Sequence, residues 1–191
     1  MMKNNGYILA NELDVLRCER LKYNVEKQEA TIVEVNNGRG ETIGKQYEGY
    51  FDKVVLDAPC SGEGRFLAND AKTYRSWSEK TVRELAKLQK KVFKSADQAL
   101  KPGGEMVYST CTLNKEENEE ILLWAIQELG IKLLPIEINI KNAETANLQH
   151  LDIDSSKKVG TTSKLEEIKK AIRILPSKET EGFFVAKIKK V

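Results

Sequence analysis

The sequence predicts an α/β fold built on a parallel sheet. Short apolar, β-type runs at 6–11, 30–35, 51–56 and 105–109 alternate with helical patterns. The connections between them are long crossovers, as parallel strands require. Two cysteine-bearing segments, Asp57–Gly64 and Tyr108–Thr112, each follow an apolar run. That places both at the carboxyl edge of the sheet, where open α/β folds do their chemistry.

Each element has its own warrant. Residues 6–11 read as a short buried strand, and Asp14 can cap a helix running to about residue 28. Cys18, Leu21 and Val25 recur at helical spacing on that helix and form its core stripe. The strand at 30–35 is stopped by Asn37-Gly38. A long helix is expected over about 79–100, with Val82, Leu85, Leu88, Val92, Phe93, Ala96 and Leu100 on one face and Pro102-Gly103-Gly104 as its stop. The lysines of Lys87–Lys91 read as its solvated side.

Asn114-x-x-Glu117 has the pattern of a capping box opening the next helix, which Gly130 closes. Glu116, Glu117, Glu119 and Glu120 crowd its first turns, where the helix dipole favours negative charge. The stretch 139–170 is polar and reads as an irregular insertion with a short helix at 164–170. Ala171–Leu175 and Gly182–Ile188 are two late strands joined by a turn around Pro176. The whole of 1–191 is read as one partial domain.

Composition narrows the function. Apolar residues make up 40% and charged residues 31% of the chain, which fits a soluble globular protein rather than a membrane one. No apolar run approaches the roughly 18 residues of a membrane span, and the N-terminus lacks a signal core. A net charge of +2 neither demands nor excludes nucleic acid. Three cysteines without a signal peptide point to a reducing cytoplasm. Zinc is not expected, since there is no Cys-x-x-Cys pair and a single histidine, His150. His150 is read as a surface residue, Cys18 as core, and Trp77 and Trp124 as packing groups rather than base-stacking platforms.

The two thiol loops carry the chemistry. Cysteine is nucleophilic as its thiolate, and helix N-termini and nearby cations favour that form. Cys111 lies just before the helix start at Asn114, with Lys115 close by. Cys60 lies in a Pro/Ser/Gly loop where Gly62 and Gly64 permit close backbone approach and unusual dihedrals. Asp57 ends the strand that leads into this loop, and its carboxylate can accept from an amino group on a cofactor or a base. A nucleophilic thiol, a second thiol and a carboxylate suit methylation at carbon 5 of a pyrimidine. That carbon is a poor nucleophile until a thiolate adds at carbon 6, and a base must afterwards remove its proton.

Four segments in order resemble the RNA (cytosine-5) methyltransferases of the Sun/RsmB/RsmF family, its RsmF-type rRNA-modifying members above all. They are Asp57–Gly64 (D-A-P-C-S-G-E-G), Leu100–Thr112 (L-K-P-G-G-E-M-V-Y-S-T-C-T), Asn114–Glu120 (N-K-E-E-N-E-E) and Gly182–Ala186 (G-F-F-V-A). The resemblance implies a Rossmann-like S-adenosylmethionine-dependent fold. It implies Cys111 as the nucleophile, Cys60 as the thiol that helps break down the covalent adduct, and Asp57 at the cofactor–base junction. It implies Glu12 as the acid that binds the ribose hydroxyls of S-adenosyl-L-methionine. Asn37 stands where the family usually has Asp near the adenine, so an amide oxygen replaces a charge. The partner implied is RNA, rRNA first and tRNA as the alternative.

The resemblance also implies that the family's first strand and glycine-rich cofactor loop lie upstream of residue 1. The missing strand would sit between the strands at 6–11 and 51–57 and leave them with an open apolar edge. Two further readings stand beside this one. A cytosine-5 methyltransferase of the DNA type would use Cys60, in its Pro-Cys loop, as the nucleophile. A fragment without the glycine loop would be non-catalytic and unable to hold cofactor alone.

Overall fold

A computed structural model describes residues 2–138, 140, 142–146 and 161–191. His150 and much of the polar stretch 139–170 lie outside the described residues. The chain opens with strand β1 (Ile8–Glu12), helix α1 (Val15–Lys27) and strand β2 (Val33–Asn37). Asp14 caps α1 as expected, its carboxylate accepting from the Arg17 N–H at 2.8 Å. Helix α2 (Gly40–Gln46), strand β3 (Phe51–Asp57), helix α3 (Glu79–Ala99) and strand β4 (Leu100–Thr110) follow. Ser78 accepts from the Thr81 N–H at the head of α3. Helix α3 ends directly into β4. Pro102–Gly104 form a bulge inside that strand, where Gly103 has φ +75° and the register with β3 shifts.

The expected capping box does not form. Asn114 caps a single 3-10 turn at Lys115–Glu117, accepting from the Glu116 N–H, and Asn118 breaks the turn at φ −120°, ψ −91°. Helix α4 (Glu119–Glu128) starts only after this break, and Gly130 closes it at φ +69°. Glu117 and Glu119 are fully buried, so the acidic run is not the solvated dipole partner that its position suggested. Strands β5 (Lys132–Leu134) and β6 (Ala143–Thr145), neither of which the sequence reading anticipated, then α5 (Thr161–Ile168), β7 (Ile172–Ile174) and β8 (Phe183–Lys189) complete the described chain.

The pairs β1–β2 and β3–β4 are parallel, as the crossovers predict. β8 runs antiparallel to β4, β5 and β7, and β6 runs antiparallel to β7, so the larger sheet is mixed. The short connection from β7 to β8 permits only an antiparallel return. The core lies on one face of this sheet. Met106 and Tyr108 of β4 sit opposite Ile188 and Ala186 of β8, all fully buried, together with Phe93 of α3 and Ile121 and Leu122 of α4. Burying such side chains contributes about 1.5–3 kcal/mol each.

Among the described residues, β1 pairs only with β2 and β3 only with β4. The break falls between the strands where the open edge was expected. Side chains alternate along a strand. Val54 and Leu56 pack toward the core, while Val55 between them is 78% exposed. Aromatic contacts span the break at its lower end, with the Tyr7 ring 6.4 Å from Phe51 and 6.1 Å from Tyr50. Among the described residues no helix is long and apolar enough to cross a membrane.

Candidate active site

Strands β3 and β4 deliver the two thiols. They run parallel with Asp57 opposite Ser109, and the Ala58 N–H continues the pairing onto the Ser109 carbonyl at 2.9 Å. Both chains then leave the sheet together, and Cys60 Sγ and Cys111 Sγ stand 3.2 Å apart. Burial, with the neighbouring sulfur adding to it, pushes the Cys60 thiol up to about 12. The two thiols are in hydrogen-bond contact, and either sulfur can donate.

Backbone contacts lock the two loops to each other. Gly62 is left-handed at φ +75°, and the turn it makes sends the Gly64 N–H onto the Cys111 carbonyl at 3.0 Å. Gly64 also lies against Gly182, whose N–H donates to the Gly64 carbonyl at 2.8 Å. Both glycines thus do what the loop composition suggested. Ser61 Oγ meets Thr112 Oγ1 at 2.9 Å. Asn118 ties the Cys111 side from below, accepting from Thr110 Oγ1 and donating to the Thr112 carbonyl.

Glu117 is the polar centre of the assembly. Its carboxylate accepts from the Ser61 N–H at 3.0 Å, from Ser61 Oγ at 2.5 Å and from Gln89 Nε2 at 3.0 Å. The same Gln89 nitrogen donates to the Pro59 carbonyl at 2.8 Å. Burial raises the Glu117 carboxyl above the ordinary range, against the hydrogen bonds from Ser61 and Gln89. Neither residue was read from the sequence as part of the thiol site, and Glu117 was named only as the closing residue of a capping box. Gln89 did leave a signal, as a polar residue set within the apolar stripe between Val82 and Phe93. Glu117 left only its place in Asn114-x-x-Glu117, among four glutamates that read as dipole partners.

The remaining candidates fall into two groups. Glu12 and Asn37 end β1 and β2 and are register partners. The Glu12 carboxylate accepts from the Asp14 N–H at 2.9 Å and pairs with Arg17 Nη2 at 3.0 Å. Asn37 Nδ2 donates to the carbonyls of Glu12 and Leu13, so its oxygen is the atom left for a ligand. Asp57 ends β3 and accepts from Ser109 Oγ at 3.3 Å. The thiols and Asp57 therefore share one sheet, and Glu12 and Asn37 the other. Trp124 packs on the core edge-on to Phe93, as expected. Trp77 does not, being 39% exposed with its indole N–H on Glu63, which also accepts from Asn114.

The whole pattern matches the family model for 16S rRNA methyltransferase RsmB/F over residues 1–189. The chain belongs to the RsmB/F family. Ribosomal RNA small subunit methyltransferase F from Aliivibrio salmonicida is 37% identical over 99% of the chain, and that from Cronobacter sakazakii is 33% identical over 100%. The chain spans 36% of the length of each of these relatives. A methyltransferase homolog from Pyrococcus horikoshii superposes with a TM-score of 0.77 at 32% identity, covering all of this chain and 55% of its own. The structure of NSun6 from Pyrococcus horikoshii with SFG gives 0.76 at 27% identity, covering 98% of this chain and 42% of its own. The RsmB/F fold is thus the Rossmann-like methyltransferase fold, and S-adenosylmethionine is the cofactor that membership implies.

Proposed function

We propose that this chain carries the thiol half of an active site that methylates carbon 5 of cytosine in RNA, rRNA first and tRNA as the alternative. The observation that carries the reading is the pair of sulfurs 3.2 Å apart at the carboxyl ends of β3 and β4. The residues fit the methyl donor. Glu12 now spends its carboxylate on Asp14 and on Arg17, whose side chain is 71% exposed. Such an exposed ion pair is weak, and each carboxylate oxygen has a second lone pair for a ribose hydroxyl. Asn37, its register partner, would read the adenine through its oxygen, and Asp57 would accept from an amino group at the junction with the base. S-adenosylmethionine, when bound, supplies an electrophilic methyl group.

The chain's own residues do the rest. Cys111 Sγ adds to carbon 6 of the ring, which gives carbon 5 the electron density to take a methyl group. A base then takes the carbon 5 proton, the electrons of that C–H bond restore the double bond between carbons 5 and 6, and the carbon–sulfur bond breaks with its electron pair returning to Cys111. Cys60 lies beside the bond that breaks. A base is needed at that position, and Cys60 can serve there once its own proton has passed to solvent.

Among the described residues β1 and β3 each keep one edge without a strand partner, which supports a further strand between them from a segment outside this chain, together with the backbone amides for the methionine part of the cofactor. The share of its relatives' length that the chain spans supports the same reading. In the enzyme completed by that segment, Cys111→Ala is expected to abolish turnover on cytosine-containing RNA. Cys60→Ala is expected to leave protein covalently trapped on RNA, visible as a shifted band on a denaturing gel. Adducts formed by the Cys111→Ala protein instead would transfer the nucleophile's role to Cys60.

A further inference from the structure

We propose that Glu117 is a positioning residue for the thiol pair, holding both peptide groups that flank Cys60 and thereby fixing Cys60 Sγ against Cys111 Sγ. The inference deepens the reading above and rests on it for the catalytic meaning of the pair.

The carboxylate reaches the peptide after Cys60 directly, through the Ser61 N–H, and doubles that hold with the Ser61 hydroxyl. It reaches the peptide before Cys60 through Gln89, whose one nitrogen bridges Glu117 Oε1 and the Pro59 carbonyl. Glu117 itself is anchored on the Cys111 side, since its own carbonyl accepts from Tyr108 Oη at 2.6 Å. Tyr108 belongs to the strand that delivers Cys111. The two sulfurs are thus linked by a second route, through side chains, in addition to the sheet.

A structural role alone does not account for this arrangement. The carboxylate caps no helix: Asn114 serves the 3-10 turn and no side chain caps α4. Each of its hydrogen-bond donors belongs to the Cys60 loop or to the strut that reaches it. Burying a carboxylate is costly, and an apolar group of similar size often stabilises a core better. Its placement makes sense where loop position matters more than stability. Loss of geometry at this level is what reacting groups tolerate least.

The test uses the chain itself and needs neither cofactor nor RNA. Diamide closes the Cys60–Cys111 disulfide by breaking two S–H bonds, forming one S–S bond and placing both hydrogens on its N=N group. The closure rate is followed by peptide mass mapping, with iodoacetamide alkylation of buried Cys18 as the internal measure of global opening. Glu117→Ala is expected to slow closure by about tenfold or more while Cys18 stays protected. Glu117→Gln is expected to stay within about threefold of the parent, because its oxygen still accepts from Ser61. Parent-like closure in folded Glu117→Ala, or slowing matched by a rise in Cys18 alkylation, overturns the proposal. If Glu117→Ala does not fold, Gln89→Ala and Ser61→Ala each remove one strut. Slower closure in either supports the proposal, and unchanged closure in both overturns it. Because oxidation is independent of methylation, a failure here is separate from a failure of the adduct assay.

Discussion

The Gly64 and Gly182 backbones touch so closely that a Cβ on Gly64 would lie 2.1 Å from the Gly182 carbonyl oxygen. The reason is contact, not dihedral freedom, since the left-handed residue of this loop is Gly62. Gly64 simultaneously donates to the Cys111 carbonyl, so it joins the Cys60 loop, the Cys111 loop and the start of β8 at one point. Gly64→Ala must push these three apart. It is expected to cost about 1–3 kcal/mol in urea unfolding, the usual scale of overpacking. The thiols should also separate, which mapping of the disulfide formed with diamide would register as slower closure. An unchanged unfolding midpoint would show that the loop moves away freely.

A second buried contact lies on the far side of the Cys111 loop. Arg173 of β7 pairs with Glu119 of α4, with side chains 11% and 0% exposed, and its other terminal nitrogen donates to the Leu113 carbonyl at 2.5 Å. Burial raises the Glu119 carboxyl, and Arg173 opposes the rise. Removing Arg173 leaves a buried carboxylate unpaired and frees the segment just after Cys111 and Thr112. Arg173→Ala is expected to cost about 3–5 kcal/mol at neutral pH. The loss should shrink as the pH falls and Glu119 takes up a proton. A chemical unfolding series at several pH values measures both, and a cost independent of pH would contradict the assignment.

These two contacts mark the limits of the sequence reading. Local features were readable because their causes are local. Asp14 and the stripe on α3 announce their helices, and the Cys60 loop announces its glycines. Short-range logic failed where long-range contacts decide. Asn114-x-x-Glu117 looks like a capping box, yet the Glu117 side chain turns away to the Cys60 loop, 56 residues distant in sequence. The glutamates read as dipole partners include two that are buried because Ser61, Gln89 and Arg173 come to meet them. Strand β5 has three residues and exists only because β8 offers it an edge. Glu12 and Asn37 were identified through family likeness, and their pairing across β1 and β2 appears only in the register.

The buried acids also set the sign of the pH dependence. Burial raises Glu117, Glu119 and Asp97 above their ordinary values. A carboxyl whose folded value lies above its unfolded one binds more protons in the native state across that window. Stability then falls as pH rises through the window and is fully recovered below the unfolded value. Glu41 works the other way. A backbone hydrogen bond, with Arg39 assisting, holds it low, so its contribution is lost only as the pH falls further. Unfolding stability is therefore expected to increase from pH 7 toward about pH 5 and to decline in stronger acid. Glu117→Gln removes one of the raised groups and should flatten the rise without moving the acid decline. Urea midpoints measured at half-unit steps for parent and variant decide this. A parent that steadily loses stability from pH 7 downward would mean that these carboxylates gain as much from their partners as burial takes from them.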